Sequence, residues 1–297
     1  GDAIPTVLTM TVVPILGAGS SMADYRIGFK WWALIIAVVF VISELVCVAC
    51  VPERPVACDE KPGKISDMFK ALFKNDQAMT VVVSIILVYT SLNICGNLVL
   101  YFFRFDVGNE GAYSIFAAVA FAAQVLVMMV IPLLRKRFSK SQLFISGFII
   151  QIAGFAVILI MAFAKLYTPQ SWYILCLPGI LIYLGYGMLN VIMTIFLSDS
   201  VDYGEVMNGT REESVIFSMQ TFTVKLASGV AVFLAGLVVD WIHLDTAAAV
   251  QTQDTLDALR MWMTIPSVIL LIVGIFVFKR FYKLDDTRME EIKSKLN

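Results

Sequence analysis

Apolar residues in this chain gather into eight long runs separated by short polar segments, and no run alternates with the period of two that a half-buried strand requires. The runs cover residues 4–22, 29–51, 77–103, 111–134, 141–165, 171–198, 214–240 and 260–282. Each matches the length needed to cross a hydrocarbon layer of ~30 Å, which takes about 20 residues at the helical rise. Lipid offers no partner to a free backbone N–H or C=O, so the pattern predicts eight transmembrane helices and an all-α integral membrane protein. The longest polar break, 52–76, carries Ile65, Met68, Phe69, Leu72 and Phe73 at helical spacing opposite Lys64, Asp67, Lys70 and Lys74. That periodicity predicts an amphipathic helix, lying on the membrane surface or packed on other loops. Three parts follow: 1–51 with two spans, the loop 52–76, and 77–297 with six spans and a polar tail. No basic segment precedes the first run, so no cleavable signal is expected.

Composition agrees with a lipid environment: 59% of the 297 residues are hydrophobic and only 15% charged, where a soluble domain has about half and about a quarter. A net charge of -1 and scattered basic residues give no footprint for nucleic acid. The basic residues report topology instead. Of the 22 Lys and Arg, sixteen fall in the second, fourth and sixth loops and the C-terminal tail, five fall on the other side, and only Lys225 lies within a span. Short cytoplasmic loops hold the excess, so both ends of the chain are expected in the cytoplasm, with the protein in the cell (inner) membrane. Five cysteines, Cys47, Cys50, Cys58, Cys95 and Cys176, form no metal framework.

Polar residues inside a span are costly and usually face the bundle or a watery path. The third run aligns Tyr89, Asn93, Asn97, Tyr101 and Arg104, and the sixth aligns Tyr183, Tyr186, Asn190, Thr194 and Ser198, at steps of three and four. These two runs are the candidates for lining a cavity, the alternative being interhelical hydrogen bonding alone. The fifth run, with only Gln151 at its middle, and the eighth, with nothing more polar than Ser267 from Thr264 to Phe278, are expected to face lipid. In the seventh, Lys225 lies about eleven residues, or ~16 Å, from the start, too deep for its stem to reach an interface. It needs a partner or must be neutral. Thr221, Ser228 and Gly229 share its face, and Ala227, Ala231 and Ala235 form a ridge of small residues suited to close helix approach. Between the sixth and seventh runs, Asp199, Asp202 and Glu205 sit where a helix C-terminus disfavours carboxylates, with Arg211 the nearest cation in sequence.

At these residues the chain resembles the glycoside-pentoside-hexuronide:cation symporters, the melibiose permease-like family of the major facilitator superfamily. Residues 198–214, S-D-S-V-D-Y-G-E-V-M-N-G-T-R-E-E-S, are similar to that family's D-x-x-D-Y-G-E...R-x-E-S loop, and Q-T-F-T-V-K (220–225) to its Q-T-x-x-V-K. K-N-D-Q (74–77), Y-F-F (101–103) and the basic loop Arg135 to Lys140 match more weakly. The resemblance covers essentially the whole chain and implies a partial twelve-helix fold in which the eight runs stand for the fifth to twelfth helices, so the first four N-terminal helices are missing partners. It implies roles for Lys225 and Thr221 in cation coupling, for Asn93, Asn97, Tyr183, Tyr186, Asn190 and Thr194 in the substrate cavity, and for Asp199, Asp202, Tyr203, Glu205 and Arg211 in a cytoplasmic gate. Asn190 stands where melibiose permease carries a tryptophan, a departure that bears on galactoside specificity. Glu44 in the second run has no counterpart in the family pattern.

The expectation is symport of a sugar or glycoside with Na+ or H+, with no cofactor beyond that transported cation, and membrane lipid, sugar and cation as partners. A membrane enzyme is disfavoured: the only histidine is His243, near a helix end, and neither H-E-x-x-H nor G-x-S-x-G occurs. The alternative is a truncated or split transporter persisting as a non-transporting interaction protein or a remnant. A Lys225 that reached bulk solvent or pointed into acyl chains would contradict the symport reading.

Overall fold

The computed structural model describes residues 12–17, 22–50, 73–209, 213–246, 248 and 250–296. The chain divides into two units, 1–63 and 64–297, with the division inside the polar segment 52–76. Most of the first predicted run, the predicted amphipathic helix up to residue 72, Cys58 and Arg211 lie outside the described residues. The regular structure among the described residues is all helical, joined by short turns, and seven of the helices are long and apolar enough to cross a membrane.

The first unit contributes α1, Met22–Cys50, and a helical piece at 12–17. That piece packs tightly on α1: a Cβ added at Gly28 would lie 2.1 Å from the Val13 carbonyl oxygen.

The second unit holds six spans and a tail helix. These are α2 (Asp76–Tyr101, continued by a π turn, Phe102–Val107), α3 (Ala112–Leu134), α4 (Lys140–Phe163), α5 (Cys176–Asn208, preceded by a 3-10 turn), α6 (Glu213–Trp241), α7 (Gln253–Phe281) and α8 (Asp286–Leu296). Local sequence explains several ends. Asn75 caps α2 by accepting from Ala78 N at 2.9 Å, Ser139 and Gln142 form a reciprocal capping box on α4, and Thr252 caps α7. α5 stops at Gly209, whose φ of 73° is the left-handed cap that glycine adopts without cost.

α2 and α5 are the hubs. α2 packs on α7, α6 and α5, and α5 packs on α4, α3, α2 and α8. The α4/α5 seam is closest, built on glycines at Gly147, Gly154 and Gly185. A Cβ at Gly185 would lie 2.6 Å from the Gly147 carbonyl oxygen, and one at Gly154 would lie 2.7 Å from Ile182 N. In lipid, dispersion between closely approached backbones is the main source of helix association, which is what these glycines permit. The predicted alanine ridge does the same for α6: Ala227, Ala231 and Ala235 are all buried, on the side where α6 meets α2.

Three expectations are corrected. The fifth run was expected to face lipid, yet its Gln151 is wholly buried at the α4/α5 seam beside Gly185, with neither amide atom hydrogen-bonded. The eighth run is not purely lipid-facing either. Ser267 donates to Ser91 O on α2 at 2.8 Å, while Ile269, Ile272, Val273 and Phe276 stay exposed. Both helices bury one face and leave the other to lipid. Finally, the acid-rich stretch after residue 198 is not a loop: α5 runs on to Asn208, so Asp199, Asp202, Tyr203 and Glu205 occupy its last turns.

Candidate functional site

Three polar groupings stand out in the second unit, at mid-depth and at either end.

The mid-depth group joins the two predicted stripes. Asn190 on α5 donates its amide to the Tyr89 hydroxyl on α2 at 2.6 Å. The Tyr89 ring meets the Tyr186 ring edge to face at 5.5 Å, and Tyr183 lies 6.5 Å further on. Asn93 and Asn97 each donate to the carbonyl one turn back, to Tyr89 O and Asn93 O, both at 2.7 Å. Each keeps an acceptor oxygen and a second N–H for another partner. Thr194 is exposed and bonds to Asn190 O at 3.1 Å. Arg104 departs from the stripe because the π turn intervenes. It donates to Thr246 O at 3.2 Å at the rim.

α6 presents three faces. One is the alanine ridge. A second is an exposed apolar stripe of Phe222, Leu226, Val230, Phe233 and Leu237, the kind of surface that acyl chains solvate. The third carries Ser214, Ser218, Thr221, Lys225 and Gly229, centred about 100° round the helix from the apolar stripe. Thr221 and Lys225 are both exposed, and among the described residues no carboxylate pairs with Lys225. The expectation of an enclosed lysine is therefore not met within this chain, because no described helix of this unit covers its face. The lysine nonetheless stands twelve residues into α6, roughly 18 Å along the axis. A bare ammonium at such depth is costly in hydrocarbon. Its position off the acyl stripe agrees with protein or water on that side.

At the end carrying most basic residues, the structure supplies a partner that sequence reasoning missed. Asp199 pairs with Lys140, each side chain only 7% exposed, and the same ammonium lies 3.5 Å from Asp286 on α8. Arg135 reaches Asp286 at 3.3 Å. Asn75, besides capping α2, donates to Ser200 O at 2.8 Å. α8 seats Leu284, Met289 and Ile292 against Tyr203, Val206 and Tyr282. Partial burial alone would raise the Asp286 pKa, but the Arg135 hydrogen bond and the Arg135 and Lys140 charges outweigh it and hold the carboxyl below its ordinary value. Arg211, the cation nearest these acids in sequence, lies outside the described residues; among those described, the cation on Asp199 is Lys140, brought there by the α4/α5 seam. Asp202 and Glu205 are half-buried in the same turns of α5.

At the opposite end, Arg260 grips Asp106 with two parallel bonds, Nε to Oδ2 at 2.9 Å and Nη2 to Oδ1 at 2.5 Å. The two side chains are 4% and 3% exposed. Asp257 accepts from Nη1 at 2.7 Å, and the Tyr167 hydroxyl donates to Asp106 at 2.5 Å. Burial first, and the adjoining Asp106 charge second, push the Tyr167 phenol above its usual range, so it stays a donor. The π turn rotates Asp106 into this pair, and sequence reading assigned neither residue a role.

A family model for MFS/sugar transport proteins matches residues 1–286. The chain belongs to that family, within the major facilitator superfamily, and is a multi-pass membrane protein. It is 24% identical to a protein of Bacillus subtilis described as the uncharacterized symporter YjmB, over 98% of this chain and 61% of that protein. It is 23% identical to the raffinose carrier protein of Pediococcus pentosaceus, over 100% of this chain and 46% of the carrier. With the isoprimeverose transporter of Lactiplantibacillus pentosus the identity is 25%, over 96% and 58%. The chain thus spans about half to three fifths of the length of these curated relatives.

Proposed function

We propose that the chain serves in the symport of a sugar or glycoside with Na+ or H+ across the cell membrane by alternating access. The observation that carries this reading is the junction of two polar helix faces at mid-depth, Tyr89 with Asn190, in a family whose named relatives carry raffinose and isoprimeverose. Tyr89, Tyr183 and Tyr186 supply aromatic surface, while Asn93, Asn97, Asn190 and Thr194 supply donors and acceptors in both senses, the mixture that fits a neutral polyol. Lys225, with Thr221 one turn before it, serves the coupling step: a fixed positive charge beside the path orders carboxylates that bind the cation. A potential of 100 mV gives ~2.3 kcal/mol per charge, which concentrates a neutral sugar about fiftyfold.

The basic end is cytoplasmic in this reading, following the distribution of Lys and Arg. There Asp199, Asp202, Tyr203, Glu205 and Arg211 form the gate, and the Lys140 pair with Asp199 ties that gate to α4. Rocking of a rigid bundle against its counterpart opens the site to one side at a time. The test is uptake of labelled raffinose and simpler glycosides by cells expressing the gene product, with and without an ionophore. Accumulation that collapses with the gradient supports symport; equilibration indifferent to the gradient rules coupling out.

A further inference from the structure

Near the end opposite the basic one, a groove of about 540 Å³ separates α2 from α6. Its α2 wall continues the polar face of Asn93 and Asn97, and its α6 wall sets Gly236 and Asp240 among Phe233 and Leu237 of the apolar stripe. Asn97 and Tyr101 come from α2, and Gly236 and Asp240 come from α6, with Phe233 on the flank. At 100° per residue, Gly236 and Asp240 lie about 20° and 60° from Lys225 around α6. Gly236 therefore belongs to the lysine's side of the helix, whereas Asp240, in register with Phe222, stands between that side and the apolar stripe. Both are separated from the lysine lengthwise: fifteen residues between Lys225 and Asp240 is about 22 Å. Asn97 belongs to both the groove and the mid-depth cluster, so the groove continues that cluster toward this end of the bundle.

We propose that this groove is a second saccharide subsite, an outer vestibule that holds a sugar ring before or beyond the mid-depth cluster; the proposal rests on the symport reading and extends it. Four features select a saccharide over other occupants. Asp240 is exposed at the groove and, as a carboxylate, accepts from two adjacent hydroxyls at once. The Asn97 amide has spent one N–H on Asn93 O and keeps an oxygen and a second N–H, so it answers a hydroxyl as donor or acceptor. Tyr101 and Phe233 offer ring faces to the C–H side of a pyranose. Gly236 leaves the floor open, since a Cβ there would meet nothing within 4 Å.

The volume falls in the range of small-molecule sites. An acyl chain would leave the Asp240 carboxylate and the Asn97 amide without partners at a lipid-facing wall, which is costly. An anion is repelled by Asp240, and a bare cation finds a single carboxylate among the lining residues, fewer charged ligands than a cation site gathers.

A native reporter stands beside the groove: Trp241 follows Asp240 and is exposed. The chain in nanodiscs is titrated with 4-nitrophenyl-α-D-galactopyranoside and 4-nitrophenyl-β-D-glucopyranoside, whose nitrophenyl group quenches tryptophan, and the quench is then reversed with unlabelled raffinose. Asp240→Asn and Gly236→Leu, both exposed changes, are each expected to weaken quenching by about tenfold, the scale of one charge-assisted hydrogen bond. Asp254→Asn, an exposed change in the first turn of α7 outside both sites, is expected to leave it within about twofold. Unchanged titration of both groove variants overturns the proposal, as does reversal by octyl alcohol but not by raffinose. Uptake separates the two levels of the argument. Glycoside accumulation with an unaltered KM in Asp240→Asn cells sinks the vestibule alone, whereas absence of any glycoside uptake by the unaltered gene product sinks the symport reading as well.

Discussion

Replacing Arg260 by methionine isolates the worth of the buried pair that pins the π turn of α2 to α7. The substitution keeps most of the apolar stem but removes the guanidinium from an Asp106 side chain only 3% exposed. Asp106 then retains one neutral donor, Tyr167. Removing one member of a buried pair costs about 3–5 kcal/mol, because the other charge is left without compensation. Replacing both by apolar or neutral groups of similar volume is close to neutral. Arg260→Met is therefore expected to destabilise the chain by roughly 3–5 kcal/mol, and Asp106→Asn with Arg260→Met to recover most of that loss. The assay is reversible unfolding of the reconstituted chain in a denaturing detergent series, followed by far-UV circular dichroism. The reasoning is refuted if Arg260→Met unfolds within about 1 kcal/mol of the parent, below the range expected for such a pair, or if the double variant is no more stable than the single one.

Gly185→Leu, which would drive a side chain into the Gly147 carbonyl, should lose about 1–3 kcal/mol or more in the same assay. Gly229→Ala meets nothing within 4 Å and should be neutral or stabilising by up to about 1 kcal/mol; equal behaviour of the two would contradict the α4/α5 seam. The depressed Asp286 pKa means that the α8 tether is intact above the ordinary carboxylate value of 3.8 and is lost as pH falls through a lower one. Limited proteolysis after residue 281 should accelerate only below about pH 4, whereas Asp286→Asn should show faster cleavage than the parent at neutral pH, by a modest factor because the site is partly exposed, and no further acceleration on acidification. Lys225→Met should leave the chain's unfolding unchanged or shifted upward, since the ammonium has no carboxylate to lose among the described residues, while gradient-driven accumulation in cells disappears. Strong destabilisation would reveal a partner for the lysine.

Span positions were legible because lipid imposes a simple rule on composition: the predicted runs and the observed helices agree within a few residues at most ends. The pairing of the α2 and α5 stripes was also legible, since Tyr89 and Asn190 fall on polar faces that only a partner helix or water could satisfy. The alanine ridge of α6 followed from residue size alone. The ion pairs were hidden. Lys140 reads as one more cytoplasmic base until the α4/α5 glycine seam draws its first turn against Asp199. Asp106 reads as a loop acid because nothing local announces that α2 continues through a π turn. Arg260 reads as the head of the eighth run; only the earlier start of α7, at the Thr252 cap eight residues before it, places it inside a span, where an arginine calls for an acid. The length of α5 was misread for a related reason: its acid-rich end continues as helix once Lys140 and Asn75 satisfy Asp199 and Ser200.

The account depends on the Thr221/Lys225 face of α6 lining the sugar path, and not facing bulk solvent or acyl chains. The direct measurement is thiol labelling of Thr221→Cys in the gene product with its native cysteines replaced, in intact membranes, by a charged, water-soluble methanethiosulfonate. The expected result is ready labelling that slows when a transported glycoside is present. Reaction with apolar maleimides alone, or a rate that no glycoside alters, would place that face in lipid and contradict the transport path.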